Sequence, residues 1–479
     1  MIFSSSTFIV FFIALLAIYA GCRNHTQRAA VLLAGSIIFY ASWRPAYLIL
    51  LFSSLIFNYL VYKSLLKKPL KWVLISGIVI DLVVLAGFKY LALMIETGLW
   101  LLSWVEQSQS ISAPDWIDWA LPLGISFFTF QMLSALIDTY RGEWQYSITF
   151  SKWCLYVSFF PQLIAGPIVR AHELIVQLND LKPIKMDHIK VGAAIFVGGL
   201  IKKVLFADNL GPIVDNLYAR PEQLSLTLAW IASIAFAMQI YFDFSGYSEM
   251  ALGLARIFGI VLPRNFCYPY ISRNFTEFWR RWHITLSQWL RDYLYIAMGG
   301  NQRSTYRNYQ NLMITMLLGG LWHGAGWTFV FWGFLHGSYL IFYRWLRIAF
   351  DVLRIEQGSV VDRILSWVGL PTTFILTCFT WVFFRAIMFP DAWQISGLML
   401  GIVESGSPLV DIRLYEKLIV LAAFCLVFVE PFVVSFFNRR GLDWWWEFPF
   451  VLRGAVYTTL TLLILVLGGP TQKFVYFDF

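Results

Sequence analysis

The stretch from Leu418 to Val429, LIVLAAFCLVFV, carries no charged or strongly polar residue on any face, and Phe8 to Ala20, FIVFFIALLAIYA, repeats the pattern near the other end of the chain. A strand of a membrane barrel alternates apolar with polar side chains. These stretches are apolar all round, which selects helices. Comparable runs recur throughout the 479 residues, and each approaches or exceeds the ~20 residues a helix needs to cross a bilayer core. Composition agrees: 59% of residues are hydrophobic, 18% aromatic and 13% charged, against about 25% charged in a typical soluble domain. The expectation is an all-α, polytopic integral membrane protein of roughly ten or more helices, with residues 1–479 as one multi-pass domain.

Candidate spans fall at about 3–21, 29–42, 46–62, 72–95, 119–138, 151–168, 189–206, 224–242, 310–323, 327–346, 366–387, 416–436 and 451–468. The loops set the orientation. Lys63, Lys67, Lys68 and Lys71 cluster between two early spans, whereas Glu96, Glu106, Asp115 and Asp118 follow the next. Basic loops stay on the cytoplasmic side, so the lysines belong inside and the acidic stretch outside. Strict alternation would then export the Arg-rich stretch from Arg256 to Arg307. Treating 151–168 as re-entrant removes the conflict, because Pro161, Gly166 and Pro167 interrupt it and broken backbone at membrane depth is tolerated when protein surrounds it.

The formal charge of +8, from 36 Lys and Arg against 28 Asp and Glu, is explained by these basic loops without any nucleic acid. Five scattered cysteines, with no CxxC pair, suggest neither a disulfide framework nor a metal cage. The N-terminal apolar stretch has no basic residue before it, and Arg23 and Arg28 after it. That reads as a retained helix rather than a cleaved signal. A G-x-S-x-G elbow, a Gly-rich phosphate loop and an HExxH motif are all absent from the sequence.

Residues 275–294, FTEFWRRWHITLSQWLRDYL, differ from their surroundings. At 100° per residue, Phe275, Phe278, Trp279, Trp282, Leu286, Trp289, Leu290, Tyr293 and Leu294 share one arc, and Glu277, Arg280, Arg281, Gln288, Arg291 and Asp292 the other. The pattern fits an interfacial helix. His283 projects into the apolar arc, about 40° from Trp279 and about 20° from Leu290, and a histidine turned inward must find a partner.

Of six histidines, His25, His172 and His188 lie in charged loops. His323 and His336 lie in GLWHGAGWTFVFWGFLHG, with no Lys, Arg, Asp or Glu from Tyr309 to Tyr343. An ionisable side chain at such depth is costly and points to function. Gly319, Gly320, Gly324 and Gly326 around His323 permit close approach by a ligand or by another helix. If helix continues to His336, that residue lies roughly 20 Å away, too far to share one reacting atom, which leaves it to packing or tunnel lining. Glu249 and Arg256, on one helix face, form a candidate internal ion pair. Asp243 and Ser245 in FDFSGYSEM are accounted for by helix termination and polar packing at least as well as by catalysis.

FPQLIAGPIVR at 160–170, DFSGYSEMALGLARIFGI at 243–260, NFTEFWRRWHITLSQWLRDYLYIAMGGN at 274–301 and GLWHGAGWTFVFWGFLHG at 320–337 together resemble the membrane-bound O-acyltransferase family. The likeness is to its bacterial branch of alginate and peptidoglycan O-acetyltransferases and D-alanyl carrier transferases. It covers about 160–340, the motif-bearing core, and the terminal FVYFDF shares it. The resemblance implies re-entrant and interfacial helices around a tunnel or funnel in a bacterial inner membrane. It makes His323, in Trp-His-Gly, the catalytic histidine, and His283 the second family position.

The expected reaction is acyl transfer from a cytoplasmic thioester, most simply acetyl-CoA, to a hydroxyl, with neutral His323 as general base and His283 orienting the acyl group or polarising its carbonyl. An acyl-histidine intermediate stays open. Arg280, Arg281, Arg291 and Arg303 are candidate donor-phosphate ligands, because guanidinium pairs with phosphate in a bidentate fork. His336, Trp322 and Asp243 are candidate tunnel-lining residues. No resident cofactor or metal is expected. A polymer cannot enter between packed helices, so a separate extracytoplasmic acyltransferase is expected to receive the acyl group and pass it to a polysaccharide. A transporter or flippase of an envelope precursor, and D-alanyl transfer from a carrier protein, are the alternatives.

Overall fold

The computed structural model describes residues 1–106, 121–352, 359–404, 411–440 and 443–477, and among them every regular element is a helix. Among the described residues six helices are long and apolar enough to cross a membrane: Tyr47–Lys67, Lys71–Lys89, Leu226–Ile257, Val360–Arg385, Leu414–Phe437 and Phe450–Leu467. The shorter helices Ser6–Ala20 and Leu91–Leu101 are also apolar. The apolar run expected at 72–95 is two helices, Lys71–Lys89 and Leu91–Glu106. Glu96 therefore sits on a helix rather than in a loop, and 107–120, with Asp115 and Asp118, lies outside the described residues.

The chain divides into two compact units. The first comprises Met1–Phe196 with Met250–Pro263. In it, the segment 151–168 is broken as its prolines and glycine require: the helix Phe150–Ser158 stops at Phe159, and the single turn Phe160–Leu163 follows. The backbone groups freed by the break find buried partners. Ser36 Oγ accepts from Phe160 N–H at 3.1 Å, and Val169 O, past the break, accepts from the Tyr156 hydroxyl at 3.1 Å. Asn58 donates to Asp81 Oδ1 at 2.8 Å, joining Tyr47–Lys67 to Lys71–Lys89 through two buried polar side chains.

The second unit comprises Val197–Glu249 and the chain from Arg264 onward. Its helix Leu226–Ile257 runs straight through FDFSGYSEM. Helix termination is therefore not the role of Asp243, which sits mid-helix and is 1% exposed. The opposed charge is Lys203, on a π-helical turn Lys202–Ala207. The neighbouring Lys202 pairs with Glu249 and Glu430, so Glu249 takes Lys202 rather than Arg256 as its partner.

Helices Thr305–His323 and Trp327–Val352 form a tight hairpin. Its packing depends on two glycines: a Cβ on Gly320 would overlap Phe329 O, and one on Gly333 would overlap Met316 O. Backbones at that separation need the missing side chains.

Candidate active site

The amphipathic segment is not one helix. Phe275–Arg281 opens with a reciprocal cap, in which Asn274 Oδ1 accepts from Glu277 N–H at 2.8 Å and Glu277 Oε2 accepts from Arg273 N–H at 2.9 Å. It ends at Trp282, and His283 takes the left-handed conformation (φ 42°, ψ 55°) before Ile284–Leu290 begins. A left-handed non-glycine residue is unfavourable by about 1–2 kcal/mol. The chain at 265–267 lies alongside and is held there by the backbone: Ile284 N–H donates to Asn265 O, and Cys267 N–H to Arg281 O, both at 2.9 Å. The expected apolar face is buried all the same, through Phe275, Phe278, Trp282, Leu286, Trp289, Leu290 and Tyr293.

His283 is fully buried. Its Nδ1 lies 3.0 Å from Asn265 Oδ1, the same oxygen that accepts from Thr285 N–H at 3.3 Å and Thr285 Oγ1 at 3.0 Å. A backbone N–H can only donate, so the atom facing it is the amide oxygen, and Nδ1 must carry the proton. The ring lies outside the candidate spans, and burial pushes its pKa down to about 3. It is therefore the neutral Nδ1–H tautomer, and Nε2 presents a lone pair. A ring in that state accepts a proton or a hydrogen bond at Nε2.

His323, at the C-terminal end of Thr305–His323, is 2% exposed. Its ring centroid is 6.3 Å from that of His283. Trp322 and Trp332 each lie 5.1 Å away, Phe384 5.3 Å and Tyr476 5.6 Å. The indole N–H of Trp332 and the hydroxyl of Tyr476 are buried with no hydrogen-bond partner among the described residues.

The structure thus brings His283, His323 and Trp322 together. It also brings His336 nearer than expected. The chain turns back at Gly324 instead of continuing as helix, so His336 packs at 4.6 Å on the same Trp332 indole. It does not face His283, however. Phe275, Phe278 and Trp279 enclose its ring, and the Thr380 hydroxyl, which donates to Thr377 O, lies 3.1 Å from its Nε2. Of the candidate arginines, Arg281 is held by Glu277 at 2.8 Å and Arg291 by Asp292 at 2.7 Å, while Arg280 and Arg303 are exposed. Asp243 lies in the ion cluster with Lys203 and Asp208. Among the described residues no group of three or more His, Cys, Asp or Glu is placed to hold a metal.

Asn265 and Tyr476, which lie against the two histidines, and Lys203, which pairs with Asp243, were not singled out by the sequence reading. Two adjacent lysines inside an otherwise apolar run were the available signal for Lys203. Asn265 and Tyr476 reach the histidines only through tertiary structure.

A polytopic helical membrane protein with two buried histidines side by side, their rings tilted by 60° in an aromatic setting, has the features of a membrane acyltransferase. Residues 145–380 match the membrane-bound O-acyltransferase family. The chain is 39% identical to a probable alginate O-acetylase of Azotobacter vinelandii over 407 residues, covering 84% of this chain and 78% of that protein. It is 36% identical to the peptidoglycan O-acetyltransferase of Helicobacter pylori, covering 82% and 77%. A teichoic acid D-alanyltransferase of Bacillus subtilis is 29% identical, covering 47% and 59%. The chain belongs to the membrane-bound O-acyltransferase family, and is an enzyme of the membrane rather than a transporter.

Proposed function

We propose that this enzyme transfers an acetyl group from cytoplasmic acetyl-CoA, across or within a bacterial inner membrane, to a hydroxyl acceptor, for O-acetylation of an envelope or secreted polysaccharide. The observation that carries the reading is the His283 and His323 pair, buried with ring centroids 6.3 Å apart. Acetyl is favoured over D-alanyl because the acetyl-transferring relatives match over four-fifths of the chain and the D-alanyl relative over less than half.

In the proposed step His323 removes the acceptor's hydroxyl proton as the oxygen attacks the thioester carbonyl. The new C–O bond forms, the C–S bond breaks, and the proton passes to the departing thiolate. His283, its ring centroid 6.3 Å from that of His323, orients the acyl group beside it. The buried N–H of Trp332 and O–H of Tyr476 are donors of the kind that steadies a developing oxyanion. Arg280 and Arg303, exposed and near this segment in sequence, are the better placed of the four arginines to meet donor phosphates. Delivery to a polymer calls for a separate extracytoplasmic acyltransferase that takes the acetyl group onward.

The test is purified protein with labelled acetyl-CoA, alone and with candidate acceptors, beside His323→Ala. Loss of a general base lowers the rate by about 10²–10⁴-fold while the variant stays in the membrane. Substantial transfer by that variant refutes the assignment. In vesicles loaded with donor, polymer acetylation outside must depend on the added partner; a rate indifferent to it refutes the relay.

A further inference from the structure

We propose that Lys203, Asp208 and Asp243 are positioning residues of the transfer site, which hold the C-terminal segment in the one register that seats Tyr476 against His323. The inference rests on the acyl-transfer reading above for its catalytic consequence, but not for its geometry.

Lys203 Nζ lies 2.7 Å from both Asp208 Oδ1 and Asp243 Oδ1, and all three side chains are buried, at 3% exposure or less. Charges so deep in a membrane protein are costly to keep, and here two members of the cluster, Lys203 and Asp243, grip the same strip of chain. Lys203 Nζ also donates to Gln472 O at 3.2 Å, and Asp243 Oδ2 accepts from Val475 N–H at 2.6 Å. The helix beside the cluster holds the strip's start: Asn209 Nδ2 donates to Leu467 O at 2.8 Å, and Gly469 N–H to Val204 O at 3.1 Å. A Cβ on Gly469 would stand 2.5 Å from the Asp208 carbonyl carbon, so the approach is as close as a glycine permits.

The residue after the last grip is Tyr476. Its ring packs, tilted by 46°, with its centroid 4.3 Å from that of Phe244 and 5.6 Å from that of His323. Val475–Phe477 is a single 3₁₀ turn, in which one residue advances about 2.0 Å and rotates the side chain by about 120°. A slip of one position at Val475 would therefore remove the phenol from the histidine altogether. Simple anchoring of this strip would not require the final bond, from Val475 N–H to Asp243, to fall one residue before the ring that meets His323.

The experiment places a cysteine at Val475→Cys in a cysteine-free background of the full chain and follows its labelling by maleimide in detergent, beside acetyl transfer. The parent should be protected. Lys203→Met should label about tenfold faster and lose about tenfold in kcat, with KM for acetyl-CoA within about twofold of the parent. Lys203→Arg, which can fork to both carboxylates, should restore protection and kcat together. If Lys203→Met does not give monodisperse protein, Asp243→Ala carries the same comparison, since it removes the acceptor for Val475 N–H and leaves Lys203 paired with Asp208. Unchanged protection, or lost protection with unchanged kcat, overturns the proposal. The labelling requires no acyl donor, so a failure of the acetyl-CoA reading is seen separately, as absent transfer by a parent whose Val475→Cys is protected.

Discussion

Replacing Asn265 by leucine tests whether His283 works through the tautomer and the turn described above. One oxygen, Asn265 Oδ1, receives three hydrogen bonds, from His283 Nδ1, Thr285 N and Thr285 Oγ1, at 3.0, 3.3 and 3.0 Å. At about 1 kcal/mol net for each bond, they contribute about 3 kcal/mol. The left-handed turn at His283 costs about 1–2 kcal/mol. With the amide the turn is therefore favoured; without it a relaxed turn wins by about 1–2 kcal/mol. Since 1.4 kcal/mol is a factor of ten, His283 should occupy its place about a tenth of the time, and kcat should fall about tenfold. The backbone bond from Ile284 N–H to Asn265 O survives the change and keeps the loop in place. Steady-state transfer from labelled acetyl-CoA measures the effect in Asn265→Leu, His283→Ala and the double variant. The double variant should be no slower than His283→Ala, because the amide acts only through the imidazole. Additive losses, or Asn265→Leu with more than about half the parent rate, would refute the reasoning. Asn265→Asp adds a pH signature: a carboxylate against Nδ1 favours the imidazolium and raises its pKa. The Nε2 lone pair is then lost at a higher pH than in the parent, and the acid limb of the pH–rate profile moves upward.

His336→Ala should chiefly lower stability, by about 2–4 kcal/mol from the cavity left among Phe278, Trp279 and Trp332, with kcat within about tenfold of the parent; a thermal shift assay beside kinetics decides it, and a loss of transfer equal to that of His323→Ala would place His336 in the chemistry. Gly333→Ala forces a methyl onto Met316 O and should destabilise the hairpin by about 1–3 kcal/mol, read as a lower Tm; an unchanged Tm would mean that the two helices are free to separate. Single cysteines near Lys67 should resist an impermeant thiol reagent in intact cells, because the Lys63 to Lys71 loop is expected inside; ready labelling would invert the orientation.

Much of the fold was readable because apolar length is a local property. The runs expected at 46–62, 366–387, 416–436 and 451–468 correspond to helices Tyr47–Lys67, Val360–Arg385, Leu414–Arg440 and Phe450–Leu467. The burial of His283 and His323 was readable for the same reason: each is an ionisable group in an apolar context. What failed was continuity. A 100° projection treated 275–294 as one helix and placed the buried face correctly, yet the backbone breaks at His283 because 265–267 offers partners that no local pattern announces. The same assumption set His336 roughly 20 Å from His323, where a turn at Gly324 in fact folds both onto Trp332. Burial depends on each side chain's own chemistry, whereas continuity depends on where freed N–H and C=O groups find partners elsewhere. The positions of Asn265 and Lys203 are long-range in this second sense. A site assembled from such partners is best sought at a polar residue that has no local reason to be where it is, as with Lys202 and Lys203 in their apolar run, since its presence there requires a distant group to satisfy it.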